Sequence, residues 1–148
     1  MIITNISLLK PVCELVLPEE VDDLIKKLEE ELLNSKDLGF PGVGLACPQI
    51  GIPKSLAIVR IGDFKLNLVN AKIIEKYHPF IFDGEGCLSF PNLFIQTNRY
   101  REIVVDNNLV KPYKFIITDF AAVVVQHELD HLNQVLLPDL VIPKPLSI

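Results

Sequence analysis

The chain reads as an α+β fold, with two helices packed against antiparallel sheets and the second helix innermost. Three observations predict this. Residues 18–34 carry an amphipathic stripe, an apolar run near residue 120 leads directly into polar residues, and short β-branched and aromatic runs alternate with turn signals in between. A length of 148 residues predicts one domain spanning 1–148, a size that buries about 68–70% of its unfolded surface.

Taken in order, the opening MIITNISLLKPVCELV has no basic stretch before its apolar residues, and no run approaches a membrane span. A cytoplasmic chain with no membrane partner is expected. In the helix predicted over 18–34, Val21, Leu24, Ile25, Leu28 and Leu32 form the buried stripe. Glu19, Glu20, Asp22 and Asp23 crowd its start, where the helix dipole favours negative charge. Residues 39–44 read as a loop. Strands are expected at 54–60 and 64–70 around an Ile61-Gly62-Asp63 turn, and at 73–77, 102–106 and 113–117, with Asp106-Asn107-Asn108 turning.

The second helix is expected over 118–133, capped by Thr118 or Asp119. Phe120 to Val125 is apolar on every side, the mark of a buried helix. Three consecutive valines favour a strand locally, so tertiary packing must override propensity. Beyond it, Pro138, Pro143 and Pro145 forbid a long helix in 134–148.

The chemistry concentrates in His127-Glu128-Leu129-Asp130-His131. Positions four apart share a helix face, so both imidazoles can point at one metal ion, with Glu128 beside it as general base. His127 and Glu128 follow the apolar stretch and should be largely buried, and buried polar groups need partners. A catalytic metal takes three protein ligands and one open position. Downstream of His131 there is no His, Glu or Cys. The third ligand must therefore come from upstream, from Cys13, Cys47 or Cys87. Cys87 stands out, because the glycines of DGEGCLS (83–89) let the backbone approach closely. In GVGLACPQIG (42–51), Gln49 could donate its side-chain N–H to a developing oxyanion.

GVGLACPQ, EGCLS and QHELDH, in this order over residues 42–133, resemble the three signature motifs of peptide deformylases. That family removes the N-formyl group from the initiator methionine of nascent chains in bacteria, organelles and some viruses. The resemblance implies that Cys87, His127 and His131 bind the metal and that metal-bound hydroxide attacks the formyl carbon, releasing formate. It assigns Glu128 as general acid/base, and Gln49 with the Leu88 backbone N–H to stabilising the tetrahedral intermediate. Val43, Gly44, Glu85, Gly86, Phe120, Val123 and Val124 fall where relatives line the methionine pocket. Glu85 and Arg99 match a carboxylate–arginine pair that braces the site, and Asp130 reads as structural. One divalent metal per chain is implied, Fe(II) as the native ion, with Ni, Co or Zn also able to occupy the site. With iron, oxidation of the metal or of Cys87 should inactivate the enzyme.

Cys47 stands where relatives usually have alanine. It reads as a small buried apolar residue or, alternatively, as a second thiol near the metal. The tail after His131 resembles the trimmed forms of some phage-encoded deformylases. The net charge of −5 gives no footprint for nucleic acid, and the basic clusters at 26–27 and 99–101 read as solvated faces. Three cysteines, odd in number, suit a reducing compartment. The expected partners are N-formyl-Met nascent peptides and, transiently, the ribosome, with the chain itself a monomer. The His-Glu-x-x-His pattern alone also fits a metalloprotease, and a catalytically silent relative is the other alternative.

Overall fold

The computed structural model describes residues 1–38 and 42–142. Half of the 39–44 loop, and Pro143 and Pro145 of the tail, lie outside the described residues. Among the described residues, two α-helices and six strands follow in order, joined by short 3-10 turns: α1 (Val21–Asn34), β1 (Gly44–Ala46), β2 (Leu56–Ile61), β3 (Phe64–Val69), β4 (Lys72–Cys87), β5 (Phe90–Asp106), β6 (Lys114–Thr118) and α2 (Asp119–Leu132). They form two antiparallel three-stranded sheets, β1-β2-β3 and β4-β5-β6. This is the expected α+β arrangement.

The first sheet is covered on both faces, and strand β2 shows how. Successive side chains of a strand point to opposite faces. Leu56 and Ile58 join Val21, Leu24, Leu28 and Leu32 of α1 in one apolar cluster. Ala57 and Val59 join Ala122, Val124, Val125, Leu129 and Leu132 of α2 in another. The second cluster also takes Ile103 and Val105 from β5 and Ile117 from β6, so α2 lies between the two sheets. That setting keeps the valine run helical against its local propensity, because the helix must fill a groove walled by two sheets.

Two buried amides tie the layers. The Gln126 side chain on α2 accepts from the Tyr100 backbone N–H at 2.9 Å and donates to the Tyr100 carbonyl at 2.9 Å, acting on β5 like a short piece of partner strand. Asn107, beyond the end of β5, accepts from the Val69 N–H at 2.8 Å and donates to the Asn67 carbonyl at 2.9 Å, joining the two sheets.

Several expectations are revised. The strands expected at 73–77 and 102–106 are the ends of a hairpin with arms of 16 and 17 residues, which runs from the sheet to the EGCLS segment. Its register shifts between Ile73 and Glu75, Phe82 and Glu85, and Gly86 and Cys87 break the two-residue alternation that reveals a strand. Gly44, placed in a loop, begins β1. Residues 18–20 form a 3-10 turn ahead of α1. Thr118 occupies the N-cap of α2 without a side-chain capping bond, and Asp119 adopts a positive φ of 57°. Nor is the apolar start of α2 buried on every side: Phe120 is 47% exposed and packs at 6.0 Å on Phe82 of the hairpin. Arg99 is not on a solvated face. It is 5% exposed.

Replacing Gln126 with leucine strands the Tyr100 backbone groups in the interior. The expected loss is about 2–3 kcal/mol of unfolding free energy, read from urea denaturation; an unchanged midpoint and slope would show that the amide clamp contributes nothing.

Candidate active site

The last register shift falls on the β5 side, so Glu85 and Cys87, two residues apart on β4, turn to the same buried side, toward α2. On α2, His127 and His131 lie one turn apart with ring centroids at 5.0 Å. Cys87 Sγ is 3.4 Å from His131 Nε2, and the donor atoms of Cys87, His127 and His131 all lie within 4.8 Å of one another. Among the described residues, this is the one such cluster of potential metal-ligating side chains, and neither Cys13 nor Cys47 belongs to it. A sulfur at about 2.3 Å and a nitrogen at about 2.0–2.1 Å on one tetrahedral ion stand about 3.5 Å apart, so the Cys87–His131 spacing fits a shared cation.

Glu85 orients the His127 ring. One carboxylate oxygen, Oε2, lies 2.8 Å from His127 Nδ1 and accepts from Arg99 Nη2; the other, Oε1, accepts from Arg99 Nε at 2.8 Å and from the Thr97 hydroxyl at 2.7 Å. Arg99 also donates to Asp130 Oδ2 at 2.7 Å, so Asp130 anchors the guanidinium. Burial would raise the Glu85 pKa, but the Arg99 and His127 hydrogen bonds outweigh it and hold the carboxyl at about 2. With Nδ1–H donating to this carboxylate, Nε2 of His127 is left as a lone-pair donor. Burial also disfavours a charged His127, yet Cys87 and Glu85 together raise its pKa well above the usual value. The corner thus attracts positive charge, which a divalent cation could supply in place of the proton. Burial and the neighbouring His127 push His131 well below the usual value, leaving it neutral and able to ligate.

Glu128 shares the cavity. It is 3% exposed, its Oε1 has no hydrogen-bond partner, and burial pushes its carboxyl up to about 7. Across from it, a Cβ built on Gly44 would lie 2.4 Å from Glu128 Oε2, so any side chain there would displace the carboxylate. Gln49 accepts from the Ala46 backbone N–H at 3.0 Å, which turns its Nε2 toward Ser89 Oγ at 3.0 Å and Cys87 Sγ at 3.7 Å. Cys47 points the other way, fully buried in the α1 cluster, and desolvation pushes its thiol up to about 12. It packs there as an apolar side chain.

These groups open into a cavity of about 210 Å³. Its walls include Gln49, Leu88 and Glu128, together with Val43, Gly44, Glu85, Gly86, Phe120, Val123 and Val124 named from the sequence. His131 and Arg99 stand behind the wall. Sequence reasoning missed Phe82 and Phe94, which line it from the hairpin arms, and Ser89 and Thr97, which hold Gln49 and Glu85. Ser89 lies inside EGCLS and was open to notice, whereas the other three carried no periodic signal.

The sequence profile of the polypeptide deformylase family matches residues 3–145. Peptide deformylase 1 of Bacillus subtilis is 43% identical over 119 residues, covering 78% of this chain and 73% of the relative. The crystal structure of the Thermotoga maritima peptide deformylase superposes with a TM-score of 0.83 at 31% identity, covering 97% of each chain. The class I type b peptide deformylase of Acinetobacter baumannii, solved with Met-Ala-Ser bound, superposes with a TM-score of 0.81 at 25% identity, covering 95% of this chain and 97% of that one. Profile and fold agree over nearly the whole length and sequence over about three quarters of it, and the chain belongs to the polypeptide deformylase family of metal-dependent hydrolases.

Proposed function

We propose that Cys87, His127 and His131 hold one divalent cation, and that Glu128, Gln49 and the Leu88 backbone N–H act beside it to remove the formyl group from N-formylmethionine at the start of new polypeptides. One observation carries this reading: Cys87 and His127 of the Cys-His-His corner line the same largely apolar cavity as the buried Glu128 carboxylate, with His131 directly behind them. A cation bound there supplies Lewis acidity, which brings the pKa of a water close to neutrality.

The chain's own residues do the rest. Glu128 accepts the proton of the attacking water and returns it to the leaving amine, giving formate and a free α-amino group. A carboxyl with a pKa of about 7 can serve in both directions near neutral pH. Gln49 Nε2 and the Leu88 N–H donate to the former carbonyl oxygen as it gains charge. Glu85, fixed by Arg99, holds the His127 ring in place. Val43, Gly44, Gly86, Phe120, Val123 and Val124 receive the methionine side chain along the wall that Glu85 backs. Phe82 and Phe94 add aromatic surface for its thioether. The Acinetobacter relative was solved with Met-Ala-Ser, a peptide of the kind this reaction leaves behind.

Two nitrogens and a thiolate suit Fe(II) as the native ion and also accept Ni, Co or Zn. No helix among the described residues is long and apolar enough to cross a membrane. We place the enzyme in the cytoplasm as a monomer that meets nascent chains at the ribosome, without nucleic-acid or membrane partners.

Formate release from formyl-Met-Ala-Ser by anaerobically purified, Fe(II)- or Ni(II)-loaded protein tests the reading, with Cys87→Ala as control. Wild type should turn over, while the control should lose both metal and activity; a metal-loaded wild type that releases no formate would overturn the assignment. Glu128→Gln should keep its metal and lose at least about 10²–10⁴ in kcat, and full activity in that variant would remove Glu128 from the mechanism. In metal-free protein the same substitution should stabilise the fold above pH 7. The raised Glu128 pKa means that ionising this buried carboxyl costs stability as pH rises from its unfolded value near 4.5 through about 7. The difference in melting temperature should therefore close below pH 4.5, and a pH-independent difference would contradict it.

A further inference from the structure

Four lone-pair positions of the Glu85 carboxylate are filled, and one of the donors has no role in the mechanism so far. Oε2 faces His127 Nδ1 and Arg99 Nη2, while Oε1 takes Arg99 Nε and the hydroxyl of Thr97. Thr97 is fully buried in the middle of β5. It lies two residues before Arg99, so both side chains leave the strand on one face.

The backbone around Glu85 shows why a hydroxyl matters there. In the ladder Thr97 sits opposite Phe82, and Glu85 opposite Ile95. Between them the register shifts, leaving Asp83 and Gly84 outside the pairing, with Gly84 at a φ of +82° and open space on its Cβ side. Glu85 thus emerges from a bulge, where strand pairing constrains it least. The Thr97 hydroxyl reaches across that bulge to the carboxylate. Arg99, itself anchored by Asp130, supplies two of the four donors, and the Thr97 hydroxyl is the remaining one that β5 brings to the carboxylate.

We propose that Thr97 is a positioning residue, whose hydroxyl locks the Glu85 carboxylate across the β4 bulge and so holds His127 in the orientation that ligates the metal. The inference rests on the metal reading above. Its action is indirect: Thr97 turns the carboxylate, the carboxylate turns the imidazole, and the imidazole meets the ion. Groups that orient a ligand in this way affect affinity for the metal itself.

The test uses Co²⁺ as probe, with affinity measured by chelator competition while following the thiolate-to-cobalt absorption band. Thr97→Val keeps the shape and the β-branch but loses the donor, and should bind Co²⁺ about tenfold more weakly. Thr97→Ser keeps the donor and should restore wild-type affinity. Val binding within twofold of wild type, or Ser as weak as Val, would overturn the proposal, since packing alone would then account for Thr97. If metal-free Thr97→Val fails to melt cooperatively, Thr97→Ala against Thr97→Ser decides by the same criterion. A wild type with no Cys87-dependent cobalt band would defeat the metal reading itself, and this inference with it.

Discussion

The Glu85 carboxylate is where the hairpin, the inner helix and the candidate metal corner meet. It hangs from β4, is gripped by Thr97 and Arg99 of β5, and touches His127 of α2. A buried carboxylate without such partners would be expelled or protonated. Here Arg99 keeps it ionised, and Asp130 returns the arginine's third nitrogen to α2. Replacing a network of this kind by apolar residues often costs little stability. What it supplies instead is direction. Each charge can be satisfied in only one relative placement of hairpin and helix, and that placement sets Cys87 opposite two histidines.

The rest of the fold serves to make the site dry. Helix α2 lies between the two sheets, its Val124, Val125 and Leu129 filling the space that water would otherwise take. In that setting an ionised Glu128 is costly, which is why its proton affinity rises into the range useful for passing a proton. Gly44 brings strand β1 against the same carboxylate, so the first sequence motif packs directly on the third. Ser89 and the Ala46 backbone hold Gln49 between the first motif and the second. Segments far apart in the chain become one cavity because a short edge strand, the end of a hairpin and a buried helix converge.

The hairpin itself carries the pocket. Its outer half has few buried apolar contacts, and Phe82 reaches Phe120 at the exposed first turn of α2. Phe120, expected in the pocket wall as well as in a buried run, is a wall residue, half exposed where the cavity opens.

The sequence by itself determined what depends on local spacing. The α1 stripe, the placement of His127 and His131 on one helical face, and the absence of any downstream third ligand all follow from residue intervals, which helical geometry converts directly into direction. The order of the three motifs was enough to suggest the family. Tertiary structure alone decided the long hairpin, because Pro79, Gly84 and Gly86 and the bulges erase alternation there, and only pairing with the opposite arm defines the strand. It also decided between a solvated and a paired Arg99 and between the two readings of Cys47, and it brought Thr97 to Glu85 and Ser89 to Gln49. Each of these depends on a partner between 12 and 40 residues away or on another element, and a hydrogen bond across a fold leaves no period in the chain.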